Sequence, residues 1–87
     1  MLHYYSKINI ERLMEEIIIK NKLKLARVEK DLTQEELADL VGVTRQTIGL
    51  IEAGKYNPSL KLCLAMSKIL GKGLDQLFWI GDEKNEK

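Results

Sequence analysis

Arg45 and Gln46 stand side by side, with Thr47 next and Leu50 one helical turn further on. A guanidinium fork and a carboxamide can each make two hydrogen bonds at once to a planar partner. That is recognition chemistry, and side chains for covalent or acid–base chemistry are scarce beside it. The single histidine, His3, lies near a terminus and reads as a solvated residue. Cys63 is the lone cysteine, so an intrachain disulfide is impossible, and on an apolar helix it reads as a core residue. With no Ser/His/Asp, Cys/His or paired-carboxylate constellation, an enzyme is not expected. Nor do one His and one Cys make a ligand set, so neither a metal nor a cofactor is expected.

The elements that must position Arg45 and Gln46 lie between Thr33 and Gly54. Thr33 with Glu36 three residues later is a capping-box pattern, which starts a helix by satisfying two backbone N–H groups. Leu37, Ala38 and Val41 follow at helical spacing. Gly42 then stands where a helix end needs a left-handed residue. Thr44 can cap a second helix at once, over residues 44–53, and so short a link forces a steep crossing with small Ala38 at the contact. Val43, Ile48 and Ile51 give this second helix its apolar side. Arg45, Gln46, Thr47, Gly49 and Leu50 are left on or near the other, with little reason to be buried.

These residues resemble the Xre family, the Cro and phage-repressor type of helix-turn-helix protein. Counted from Gln34, small Ala38 falls at the fifth place, turn Gly42 at the ninth and core Ile48 at the fifteenth, as that family requires. The resemblance runs through IEAGKYNPSL to LDQLF and covers about residues 20 to 79. Within the family the runs IIIKNKLKL and LFW are similar to the small repressors of the cytolysin-operon kind, which close their chain ends with a hairpin-like pairing. The resemblance implies an all-α, five-helix lambda-repressor-like domain with a possible small two-stranded sheet joining the ends. It also implies an ion pair of Arg27 with Glu52, tying the first helix of the domain to the second motif helix.

Around the motif, the chain divides into an N-terminal extension over 1–15, the domain over 16–81 and a charged tail over 82–87. Residues 8 to 19 admit two readings: an amphipathic helix lined by Ile8, Leu13, Met14, Ile17 and Ile18, or a short strand favoured by the β-branched run Ile17, Ile18, Ile19. The strand is preferred near Ile17 to Lys20, with 1–15 partly helical. Asn21 is a candidate cap for a helix to about Lys30 with Leu23, Ala26 and Leu32 inward. Pro58 or Ser59 begins the next helix, to about Leu70, with Leu60, Cys63, Met66, Ser67 and Leu70 toward the core. Leu62, Leu64, Ala65 and Ile69 are apolar as well, more than one stripe requires. The surplus points to a dimer interface made by Leu62, Ile69, Leu74 and Leu77. Gly73 occupies the place of a capping Ser or Thr before a last short helix, Leu74 to Phe78.

At 87 residues and net charge +1 the chain has room for one modest core and no bulk attraction for polyanions. Residues 20 to 61 carry eight Lys or Arg against six Asp or Glu, whereas from Asp75 on there are four acids against two Lys. No apolar run approaches the roughly 20 residues of a membrane span, so a cytoplasmic protein is expected. The function that the resemblance implies is sequence-specific binding of double-stranded DNA by a homodimeric transcriptional repressor. In that reading Arg45, Gln46 and Leu50 read bases in the major groove. Arg45 can bridge the acceptors of a guanine and Gln46 can pair with adenine, while Leu50 touches a thymine methyl or reads nothing. Gln34, Thr44, Thr47, Lys55, Tyr56 and Asn57 hold the DNA backbone, with Thr47 near a phosphate or a thymine methyl. The competing reading is an antitoxin or adaptor that acts through its apolar helix on a protein partner.

Overall fold

Thr33 starts a helix because both halves of its capping box form. Its hydroxyl accepts from the Glu36 N–H at 3.0 Å, and the Glu36 carboxylate accepts from the Thr33 N–H at 2.8 Å. The same kind of signal starts two further helices, Thr44 accepting from the Thr47 N–H at 3.1 Å and Ser59 from the Leu62 N–H at 3.1 Å. In the computed structural model, which describes residues 9–81, the elements run in order as α1 (Ile10–Glu16), β1 (Ile18–Asn21), α2 (Leu23–Glu29), α3 (Gln34–Val41), α4 (Arg45–Glu52), α5 (Leu60–Leu70), α6 (Leu74–Leu77) and β2 (Phe78–Gly81). The expected five-helix arrangement is α2 to α6, and α1 is a sixth helix in the stretch expected to be only partly helical. The charged tail expected over 82–87, the solvated His3 and Ile8 lie outside the described residues.

The chain ends pair as the β-branched and aromatic runs suggest. β1 and β2 are antiparallel, with Ile18 opposite Gly81, Ile19 opposite Ile80, Lys20 opposite Trp79 and Asn21 opposite Phe78. The strand lies one residue later than Ile17 to Lys20, and this displaces the cap: Asn21 ends β1 and Lys22 is the N-cap position of α2. Asn21 still does a capping residue's work, since its Oδ1 accepts from the Leu23 N–H at 3.0 Å. Its Nδ2 donates to the Ile51 carbonyl at 3.0 Å, pinning the end of α4 to the sheet.

One core lies under all of this. Leu23 and Ala26 of α2, Leu37 and Ala38 of α3, Ile48 and Ile51 of α4, Met66 and Leu70 of α5, and Leu77 of α6 are buried together, with Leu32, Val41, Val43, Leu62 and Phe78 packed at its margin. Leu77 corrects the expected dimer interface: at 0% exposure it belongs to the core. It is the only side chain of four-residue α6 that is buried, and without it that helix would have no anchor. Leu60 corrects the expected core face of α5, being 65% exposed. Helical side chains lean toward the N-terminus, so the first residue of α5 overhangs the edge of the core that Cys63, Met66 and Leu70 fill. Gly73 has no side chain to cap α6, and Gln76 makes up half of the loss by accepting from the Gly73 N–H at 2.7 Å.

The turn between α3 and α4 depends on Gly42, whose φ of 77° is left-handed. A Cβ there would meet nothing within 4 Å, so only backbone conformation opposes a substitution. Gly42→Ala is expected to lower stability by roughly 1 to 2 kcal/mol. Urea unfolding should show this as a lower midpoint with an unchanged m-value. An unmoved midpoint would mean that the turn relaxes to a different geometry.

Candidate nucleic-acid interface

The outer face of α4 is built from the inside outward. Ile48 and Ile51 are buried, which fixes the rotation of the helix and turns Arg45, Gln46 and Leu50 toward solvent. All three are exposed, and Arg45 and Gln46 are the first two residues after the Thr44 cap. Side chains in this first turn project past the helix end, where four backbone N–H groups begin unpaired and the dipole is positive. Thr44 Oγ1 and Thr47 Oγ1 are 3.0 Å apart, so one hydroxyl donates to the other.

Beneath this face lies a polar chain that is buried at its inner end. Arg27 Nε donates to Glu52 Oε2 at 2.7 Å and Nη2 to Oε1 at 3.3 Å, a two-pronged pair with both side chains under 10% exposed. The third prong, Nη1, donates to the Leu32 carbonyl at 2.7 Å, which leaves the guanidinium with partners on three sides. Glu52 Oε1 also accepts from Gln34 Nε2 at 3.0 Å, and Gln34 Oε1 accepts from Arg45 Nη1 at 3.4 Å. The chain Arg27, Glu52, Gln34, Arg45 therefore runs from the core side of α2 to the exposed start of α4. Among the described residues no buried side-chain nitrogen or oxygen lacks a partner.

Gln34 thus has a role that sequence reasoning missed. It sits half-buried at the N-terminus of α3, where an anion-facing residue was expected, and its carboxamide is oriented from behind by Glu52. Gly49 faces it across the helix crossing: a Cβ on Gly49 would lie 3.7 Å from Gln34 Nε2, an ordinary van der Waals contact. The pairing of a glycine on α4 with a long amide on α3 is visible in the sequence only once the crossing of the two helices is known. Lys55, Tyr56 and Asn57 follow α4 in an exposed loop, held by the Lys55 N–H donating to the Leu50 carbonyl at 2.8 Å.

Of the expected interface residues, Leu62 is half-buried against the core, Ile69 is exposed on α5 and Leu74 is half-buried beside β2. Cys63 is buried, and burial pushes its thiol up from the ordinary value against a smaller lowering by its backbone hydrogen bond, which disfavours the thiolate. Among the described residues no group of three or more His, Cys, Asp or Glu is placed to hold a metal ion, and no helix is long and apolar enough to cross a membrane.

A helix-turn-helix family model matches residues 23–77, the stretch from α2 to the end of α6. An uncharacterised HTH-type transcriptional regulator of Methanocaldococcus jannaschii is 48% identical over 66 residues, which make up 76% of this chain and 100% of that protein. The cryptic phage CTXphi transcriptional repressor RstR of Vibrio cholerae is 33% identical over 60 residues, 69% of this chain and 54% of the repressor. Among solved structures, the restriction-modification controller protein of Aeromonas hydrophila superposes with a TM-score of 0.58 at 35% identity, over 62% of this chain and 78% of that one. With its capped α3 and α4, the left-handed Gly42 between them and this span of likeness, the chain belongs to the helix-turn-helix family of transcriptional regulators, of the Xre and Cro type.

Proposed function

We propose that the chain is a cytoplasmic, sequence-specific binder of double-stranded DNA that acts as a homodimeric transcriptional repressor and not as an enzyme. Residues 16–81 form the binding unit, with 1–15 as an extension and 82–87 as a tail. The observation that carries the reading is the exposed pair Arg45 and Gln46 at the start of a helix whose other face is locked by a buried ion pair. A helix placed so firmly, with its polar end left bare, suits insertion into a major groove. Arg45, Gln46 and Leu50 then face base edges. Gln34, Thr44 and Thr47, around the positive ends of α3 and α4, face phosphates on one side, and Lys55, Tyr56 and Asn57 face them on the other. Ile69 and Leu74, with Leu62 behind them, join the two copies about a two-fold axis, which sets the α4 helices about 34 Å apart on successive turns of DNA.

The test is binding to the DNA upstream of the chain's own coding sequence against a scrambled duplex, over a salt series. The upstream duplex should bind more tightly at every salt concentration. Lys55→Ala should weaken binding to both duplexes and reduce the slope of log affinity against log salt by about one, because one fewer counterion is released. Equal affinity of the unaltered protein for the two duplexes would remove the sequence-specific reading.

A further inference from the structure

The described part of the extension is a helix that buries none of its residues, and Ile10, Leu13 and Met14 on its apolar side are exposed. Asn9 starts α1 by accepting from the Arg12 N–H at 3.1 Å, and the Arg12–Glu16 pair at 3.0 Å supports its polar side. Ile10, Leu13, Met14 and Ile17 fall at i, i+3, i+4 and i+7, one continuous stripe. No residue of α1 is buried, and Ile10 and Met14 are 71% and 66% exposed. Seven residues do not hold a helix in water by propensity and a cap alone, so such a stripe needs a surface to lie on.

A surface of matching character lies on the same molecule. Ile19, Cys63, Leu74, Phe78, Trp79 and Ile80, with the carboxylate residue Asp75, line a largely apolar groove beside the sheet, where Ile80 is 69% exposed. On the outer side of α5 Leu60 and Leu64, one turn apart, are exposed as well. The charge complement to α1 lies on α5 and not in the groove, whose one charged lining residue is Asp75. α1 carries Glu11, Glu15 and Glu16 against Arg12, a net of −2, and α5 carries Lys61 and Lys68 with no acid, a net of +2. Glu11 and Glu16 flank the stripe on α1, and Lys61 and Lys68 border Leu64 on α5.

The helix cannot reach the groove of its own chain. Only Ile17 separates α1 from β1, Ile17 is extended at φ −77° and ψ 115°, and Ile19 two residues on already lines the groove. Covering Ile19 and Ile80 from within the chain would require a full reversal inside that one residue. We propose that α1 is exchanged between two copies, each laying its Ile10, Leu13, Met14 and Ile17 stripe over the partner's groove and the Leu60 and Leu64 side of α5. The proposal rests on the dimeric reading given above and assigns the extension a place in it.

Sedimentation equilibrium of the full chain tests it, with far-ultraviolet circular dichroism to verify that each variant keeps the fold. Leu13→Glu with Met14→Glu should raise the dimer dissociation constant by roughly tenfold or more, since apolar side chains are lost from two copies of the contact. Lys61→Glu with Lys68→Glu should also weaken the dimer, and adding Glu11→Lys with Glu16→Lys should recover it. This charge-swap series decides the question by itself if the apolar variant does not fold. An unaltered protein that dimerises with a constant insensitive to both sets of changes overturns the exchange and leaves the dimer standing. A monomer at tens of micromolar overturns both.

Discussion

Glu52→Ala is expected to lower the stability of the fold by about 3 to 5 kcal/mol, the loss that follows when one partner of a buried ion pair is removed. The reason is the fate of Arg27. Its guanidinium is buried on α2 and would keep only the Leu32 carbonyl as an acceptor, leaving two of its three prongs without partners in a place water reaches poorly. Because a domain of this size has a total stability of about 5 kcal/mol, near the lower end for native proteins, the variant should be largely unfolded at 37 °C. Removing both charges is a different experiment. Arg27→Met with Glu52→Leu should retain most of the stability, because nothing charged is left buried. Urea unfolding of the two variants separates an isolated buried charge from lost packing. A loss under about 1 kcal/mol for Glu52→Ala would place the pair with exposed ones and contradict its burial.

The parts of this molecule that sequence makes legible are those where a short stretch determines its own geometry. Thr33 with Glu36, Gly42 and Thr44 each satisfy or relax the backbone within four residues, so the turn between α3 and α4 can be read before any tertiary contact is known. The pairing of the chain ends is legible for a related reason: β-branched and aromatic residues cluster at both. What escapes is whatever depends on which surface meets which. Leu77 and Ile69 are equally apolar and both lie on C-terminal helices, but one is sealed in the core and the other exposed, a difference set by how α6 docks. Asn21 looks like a helix cap from its neighbours, yet its second bond goes to the Ile51 carbonyl thirty residues away. Gln34 is the same kind of case, an expected phosphate contact whose carboxamide is also the link between Glu52 and Arg45. At the candidate site the buried Arg27–Glu52 pair was expected from the resemblance, and its continuation through Gln34 to Arg45 was not.

Gln46→Ala is expected to weaken binding to the cognate operator by about 1 to 3 kcal/mol while leaving binding to random DNA nearly unchanged. Gln46 is exposed in the first turn of α4 and its side chain makes no hydrogen bond among the described residues, so its removal disturbs neither the core nor the chain from Arg27 to Arg45. Whatever is lost must be lost at the DNA. A carboxamide that donates and accepts along one base edge discriminates among bases, and random sequence offers that match only occasionally, so the loss is confined to the cognate site. Arg45→Ala should behave differently in one respect. Arg45 carries a charge as well as a fork and is steadied by Gln34, so its removal should weaken cognate binding strongly, weaken random binding somewhat and lower the salt slope. Titrating both variants against cognate and scrambled duplexes across a salt series resolves the two effects. Equal losses on both duplexes for Gln46→Ala would mean that it positions the helix without reading sequence. If neither variant loses affinity, α4 does not enter the groove by its N-terminal end, and the search for the partner moves to the apolar face of α5.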